Sequence, residues 1–424
     1  GRPQASPPPG GGERTAPDEQ RFEVGGEEQS VTAFDGLISL DVPAGAFPAG
    51  TTLTIRKAAE QVRPGDGNLV PASSAFDLEA GGPPKNPVTI TVRFNAQNLG
   101  GIDPRKLGLY RRDDRDSTRW SYVGGVIDVG AGTVTARLKG FSRYALMADN
   151  RTFADLWGHW AQREVEVLVS RHVVQGANER EFQPDRSITR AELTKLLVEM
   201  LTRDPEGAVT LVSPATATFS DVTPGAWYYQ HVETAARLGL VKGTGGLFRP
   251  GDPVTREEMA AMFVRALGLE NQVAAAALET LPYADAGDIG GWAKGYVTLA
   301  RQMGLMKGEN ATSFGPKSQA NRAQGAVVVL RAMERKGWVS KTVTVSGLLS
   351  ISELEGRHFE LEVSVAGKVT RYVLLPADGP EGPVARRLES AVGRQVRVTA
   401  LRDNSASVYM RGPALRVLEV EVLP

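Results

Sequence analysis

Two spacings of apolar residues divide this chain. From about residue 21 to 150, apolar and polar side chains alternate in short runs, at 37–42, 52–55, 88–94 and 143–146, each bounded by Gly, Pro or Asp. Alternation sends every second side chain to one face, so these runs read as half-buried strands of a β-sandwich. From about 152 to 339 the spacing becomes helical: Leu193, Leu196, Leu197 and Met200, then Met259, Met262, Phe263 and Ala266, then Gly325, Val328, Val329 and Ala332. Each set is one helix face that must be buried. From about 342 alternation returns at 343–345, 359–363, 371–375, 396–400 and 415–420, with a helical stretch at 384–392 ended by Gly393. Five strands with a helix after the third suit a small OB-like β-barrel. The expected fold class is multidomain α+β: a sandwich over 21–150, an all-α set of repeats over 151–340, and a barrel over 341–424. Residues 1–20, rich in Pro and Gly and without periodicity, read as a disordered lead-in.

The helical part is a threefold repeat, divided at 151–213, 214–279 and 280–340. Arg190, Arg256 and Arg322 recur every 66 residues, each after a capping residue: Thr189, Thr255 and Asn321. Glu192, Glu258 and Gln324 stand three residues past the cap, where cap and third residue satisfy each other's backbone amides. A cation at the first helical position opposes the helix dipole by roughly 0.3–1 kcal/mol, so stability alone does not select it. Free amides at a helix start together with a guanidinium make a site for a carboxylate or phosphate. The alternative is an Arg paired with a nearby Asp155, Asp221 or Asp285. Threefold recurrence favours the ligand.

Each repeat opens with an aromatic residue, one further residue and Asp: Phe153 and Asp155, Phe219 and Asp221, Tyr283 and Asp285. Gly-x-Trp follows at Trp160, Trp227 and Trp292, leading into a first helix. That helix is expected to stop in a left-handed residue at His172, Gly239 and Gly304. Gly176, Gly243 or Gly308 then precedes Phe182-x-Pro184, Phe248-x-Pro250 or Phe314-x-Pro316 and the second, capped helix. No single helix–loop–helix unit buries its apolar face alone, so three should share one core.

Aromatic-x-Asp, Trp, Gly, Phe-x-Pro and Thr-Arg-Ala-Glu in threefold array closely resemble the S-layer homology domain. The resemblance implies a pseudo-threefold helical spindle whose inter-repeat grooves hold a secondary cell-wall polysaccharide carrying a pyruvate ketal. Under it, Arg190, Arg256 and Arg322 are the anion contacts. Asp155, Asp221 and Asp285 would bond sugar hydroxyls, or else cap helices or pair with Arg. Trp160, Trp227 and Trp292 would stack on sugars, although core packing is the favoured reading. Gly176, Gly243 and Gly308 would let backbone approach the ligand, or serve turn geometry alone. Asn321, Gln324 and Gly325 depart from the pattern, so the third groove is the doubtful one and Arg322→Ala is expected to weaken wall binding less than Arg190→Ala. The run 42–55, with residues 141–146, resembles the ZU-type β-sandwich, which implies a spacer or interaction module.

Charge changes the picture little: 49 basic and 49 acidic side chains balance, so no global field draws nucleic acid or an anionic membrane. Arg371, Arg397 and Arg416 on barrel strands read as a solvated face. Without Cys there is no thiol chemistry and no disulfide, and the four His lack metal-ligand spacing. No apolar run is long enough to span a bilayer. No cofactor, metal or catalytic set emerges, so the expectation is a secreted binding protein at the cell wall. Its partners would be a pyruvylated or peptidoglycan-linked polymer and copies of itself in a surface lattice. The alternative is the anchoring part of a larger surface enzyme or adhesin. An intracellular helical scaffold ranks last.

Overall fold

The computed structural model of the chain describes residues 18–95, 99–207, 209–353, 357–365, 368–403 and 413–423. The expected lead-in lies outside them up to residue 17, and Glu19 and Gln20 already stand in a strand.

The N-terminal part is two packed sheets. One runs β1 (Glu19–Val24), β4 (Thr51–Lys57), β6 (Phe76–Glu79), β12 (Arg143–Asp149), β8 (Leu107–Arg112), β9 (Trp120–Gly124), with β5 (Leu69–Pro71) also on β12. The other runs β10 (Val126–Asp128), β11 (Thr133–Leu138), β7 (Val88–Arg93), β3 (Ile38–Val42), β2 (Gln29–Ala33). Register follows burial: Leu40 pairs with Ile90, and both lie wholly inside between the sheets. A slip of one residue would turn these side chains out to water. β12 departs from alternation, with Tyr144 to Asp149 all buried. Its outer face, at Ala145 and Met147, is covered by a small second cluster that includes Tyr110 and Trp120.

The central part holds α1 (Gln162–Ser170), α2 (Arg190–Thr202), α3 (Tyr229–Arg237), α4 (Arg256–Ala266), the short α5 (Val273–Ala276), α6 (Lys294–Gln302) and α7 (Arg322–Arg335). One continuous core takes Leu193 and Leu197 from α2, Met259 and Phe263 from α4, and Val328 and Val329 from α7. Backbone bonds close a three-membered ring through the residues before the caps. Ile188 donates to Ala320 (2.9 Å), Ala320 to Val254 (2.8 Å) and Val254 to Ile188 (3.0 Å). Gly325 is explained here: a Cβ would come within 3.1 Å of Ile188 and 3.4 Å of Leu193, so its absence lets α7 close on α2.

The C-terminal strands β13 (Thr342–Ser352), β14 (His358–Val365), β15 (Lys368–Pro376), β16 (Gln395–Asp403) and β17 (Ala414–Val422) form a closed barrel in the order β13-β14-β15-β17-β16. α8 (Pro383–Ser390) falls between β15 and β16, and its Leu388 enters the barrel core. Polar contacts tie the parts together: Lys106 Nζ meets Glu166 at 2.7 Å, Arg171 reaches the Gly125 carbonyl at 2.6 Å, and Arg163 reaches that of Leu418 at 3.1 Å. Among the described residues no helix is long and apolar enough to cross a membrane.

Candidate functional site: the grooves between repeats

All three capping boxes form. Thr189, Thr255 and Asn321 accept from the amides of Glu192, Glu258 and Gln324, whose side chains accept in return from the cap amides. The free helix ends expected from the sequence are absent, because the next two amides are bonded across repeats. Arg190 N–H donates to the Asp252 carbonyl and Ala191 to Pro250; Arg256 donates to Ser318 and Glu257 to Pro316; Arg322 donates to Arg186 and Ala323 to Pro184. Each helix start is thus capped by the loop of a neighbouring repeat, and an anion gains nothing from it.

The arginines follow the same cycle. Arg190 Nε donates to the Phe248 carbonyl (2.9 Å) and a terminal nitrogen to that of Lys242 (3.3 Å). Arg256 does so to Phe314 (2.9 Å) and Lys307 (2.6 Å), and Arg322 to Phe182 (2.9 Å) and Gln175 (3.2 Å). Each guanidinium lies over the ring of the Phe whose carbonyl it holds, 4.7 to 5.1 Å from the centroid. Side-chain exposure is 14% for Arg190, 11% for Arg322 and 5% for Arg256. Burial pushes Arg256 and Arg322 below the usual range, with Glu309 and Glu192 opposing that shift. The pairing with Asp held open by the sequence is not formed. The carboxylates facing the arginines are Glu258 for Arg190 (3.2 Å), Glu192 for Arg322 (3.5 Å) and Glu309 for Arg256 (3.8 Å).

The aspartates hold their own repeat's loop. Asp155 accepts from the amides of Phe182 and Gln183, Asp221 from those of Phe248 and Arg249, and Asp285 from those of Phe314 and Gly315. The second residue of each pair has φ of 60–69°, a turn that two bonds to one carboxylate stabilise. Burial alone would raise Asp221 and Asp285, but these amide bonds bring both below the usual carboxylate range.

The glycines answer to packing inside their own repeat. A Cβ on Gly176 would lie 2.3 Å from the Phe153 ring; on Gly243, 2.6 Å from Phe219; on Gly308, 2.8 Å from Tyr283. None of the three has positive φ, so close approach and not a left-handed turn excludes a side chain. His172, Gly239 and Gly304 do take the left-handed conformation at helix ends, with φ of 56°, 71° and 70°.

Core packing of the tryptophans is overturned: Trp160, Trp227 and Trp292 are 59%, 58% and 52% exposed. Two of them line grooves. One groove, of about 300 Å³, gathers Arg190 from the first repeat, the 241–249 loop from the second and Trp292 from the third. The other, of about 650 Å³, gathers Arg322 from the third repeat, the 172–183 loop from the first and Trp227 from the second. Cations exceed carboxylates in both. The second has Arg186, Lys195, Arg203 and Arg322 against Glu192 and Glu199; the first has Arg190, Lys242, Arg249 and Arg265 against Asp252 and Glu258.

Lys195 and Lys242 were not legible as site residues, because neither belongs to a threefold pattern. Lys195 Nζ stands 5.9 Å from the centre of the Trp227 ring, and Lys242 is 63% exposed. A cation beside an exposed aromatic face is suited to an acidic sugar. Among the described residues no group of His, Asp and Glu has the arrangement to hold a metal.

Such grooves between cyclically latched helix pairs belong to one modular unit built from three copies of one repeat. Residues 152–194, 218–260 and 282–326 each match the S-layer homology domain, so the chain carries three such domains in tandem. It is 33% identical over 280 residues to an amylopullulanase of Thermoanaerobacterium thermosulfurigenes, covering 65% of this chain and 14% of that protein. It is 33% identical over 184 residues to the exoglucanase XynX of Acetivibrio thermocellus, covering 43% and 16%. A surface-layer 125 kDa protein of Lysinibacillus sphaericus is 31% identical over 179 residues, covering 41% and 14%. The chain thus spans a small part of the relatives' length. The amylopullulanase match is longer than the stretch 152–326, so it also takes in flanking β sequence.

Proposed function

We propose that this chain anchors a cell-surface protein non-covalently to a bacterial wall, by taking an anionic wall polysaccharide into the Arg190 and Arg322 grooves. The observation that carries the reading is that each groove sets an exposed Trp and a surplus of cations around one latched guanidinium, with the parts drawn from three repeats. A pyruvylated secondary wall polymer is the ligand of choice, with other peptidoglycan-linked acidic polymers in the same chemical class.

The indole face would lie against the C–H face of a sugar. Because Nε and one terminal nitrogen of Arg190 and Arg322 hold carbonyls and the other terminal nitrogen meets Glu258 or Glu192, the ligand carboxylate would be met chiefly by Lys195 or Lys242, with the guanidinium adding its charge. Two grooves in one body bind in an intramolecular second step, so their combined strength exceeds either alone. The doubt that the sequence raises about the third repeat moves from Arg322 to Arg256. Arg256 is the most buried of the three guanidiniums, with 5% side-chain exposure against 14% for Arg190 and 11% for Arg322.

We take the helical part as a pseudo-threefold spindle, the sandwich as a ZU-type-like spacer and the barrel as OB-like, with the protein secreted and held at the wall. Assembly of copies into a surface lattice fits the surface-layer relatives. The amylopullulanase and exoglucanase relatives favour a second reading, in which this region anchors a larger surface enzyme.

The test is binding of the full chain to purified walls before and after removal of ketal pyruvate, for wild type and for Lys195→Ala/Lys242→Ala. Weaker, though not abolished, binding on both changes supports the reading. Equal binding of wild type to treated and untreated walls would refute the acidic-sugar site.

A further inference from the structure

The cleft between the outer face of the sandwich and the first repeat has a chemistry the anchoring grooves do not share. It is a cavity of about 1100 Å³ whose sandwich wall includes Asp66, Tyr110, Trp120 and Asp149 and whose repeat wall includes His172 and Asn178. Tyr110 is 1% exposed, and neither its hydroxyl nor the Trp120 indole N–H has a hydrogen-bond partner among the described residues. Arg151 pairs with Asp66 at 3.0 Å, yet its Nε is likewise unpartnered. A buried polar group left so costs roughly 1–3 kcal/mol, and all three belong to residues that line this one cavity, just behind its surface.

Charge decides what the cavity would take. Its lining has Asp66, Asp149 and Glu179 against Arg119 and Arg151, whereas the Arg322 groove has four cations against two carboxylates. A carboxylate or phosphate would meet net negative charge here. An uncharged polyhydroxylated ring would find donors, acceptors and the Trp120 face together. Position adds a second argument. His172, Val174, Gln175 and Gly176 line both this cavity and the Arg322 groove, so one thin wall of chain separates the two.

We propose that this cleft is a saccharide subsite for uncharged sugar units of the same wall polymer whose acidic units occupy the Arg322 groove. It rests on the anchoring reading for the identity of the polymer. The sandwich then lengthens the binding surface of the repeats.

The experiment titrates the full chain with wall polysaccharide purified intact and after removal of its pyruvate, following tryptophan fluorescence and heat of binding. Trp120→Ala removes the ring, and Glu179→Trp fills the cleft from an exposed position without touching the sandwich core. Expected is binding of the pyruvate-free polymer by wild type, weakened about fivefold or more in both variants. Binding of intact but not pyruvate-free polymer by wild type would overturn the subsite and leave the anchoring grooves standing. Unaltered binding of pyruvate-free polymer by both cleft variants would also overturn it. Failure of wild type to bind either polymer would sink the anchoring reading together with the subsite.

Discussion

Arg190 both donates Nε–H to the carbonyl of Phe248 at 2.9 Å and lies over that residue's ring, 5.1 Å from its centre. Arg256 with Phe314 and Arg322 with Phe182 repeat the relationship, so each repeat is locked to the next and the third returns to the first. A residue that reads as a ligand contact is in the first place a latch.

Arg256→Ala should therefore destabilise the helical part, by about 2–4 kcal/mol, because the carbonyls of Lys307 and Phe314 lose their donors inside a buried contact. Arg256→Lys should recover little, since an ammonium cannot hold two carbonyls in one plane. Urea unfolding curves of the three proteins check this. A shift within error for Arg256→Ala would remove the latch.

Lys195→Ala and Lys242→Ala should leave unfolding curves in place while each weakens attachment to purified walls, about three- to tenfold. Raising salt should reduce the wild-type advantage, because the Lys242 ammonium is exposed to solvent screening and Lys195 is only part-buried. A wall pulldown at two salt concentrations makes the comparison.

Gly176→Ala should lower stability by about 1–3 kcal/mol through overpacking, since the new methyl would sit 2.3 Å from the Phe153 ring and from the Asn178 carbonyl oxygen. Weakened wall binding with an unchanged melting temperature would instead mean that the glycine serves ligand approach.

Glu192 supplies a pH dependence. Burial alone would raise its carboxyl, but the hydrogen bond from Arg186, the Thr189 amide and the charges of Arg186 and Arg322 hold it below the usual range. Its folded pKa being depressed, its contribution is present above the unfolded value near 4.5 and is lost as pH falls below it toward the folded value. Glu192→Gln keeps the capping bond, as Gln324 does in the third repeat, and should flatten the fall in melting temperature between pH 5 and pH 3. An unaltered pH profile would mean the ion pair with Arg186 and Arg322 has no net effect.

Much of the fold was readable along the chain because it is local. Thr189 with Glu192 and Asn321 with Gln324 sit three residues apart, and their bonds depend on nothing outside one helical turn. His172 takes the left-handed position because a helix has just ended there, and the five C-terminal strands follow from alternation and turn residues. The site was less readable, for a physical reason. The amides of Arg190 and Ala191 are satisfied by Asp252 and Pro250, some 60 residues away in sequence, and no local pattern records such a partner. For Trp227 the sequence leaves sugar stacking and core packing both open and favours the core, because large aromatic side chains are usually buried, yet it stands 58% exposed over a groove formed with the other two repeats.

The sequence by itself determined that three equal units exist, where their helices begin, and that β elements flank them, because periodicity, capping and turn chemistry act over a few residues. Only the tertiary structure decided what the repeated Arg, Asp and Gly hold and that the Trp residues face outward. It also decided that Arg256 faces Glu309 where Arg190 and Arg322 face the capping-box Glu of a neighbouring repeat. Those outcomes depend on which loop the closed ring of repeats brings against which helix, and that is a property of packing between units far apart in the chain.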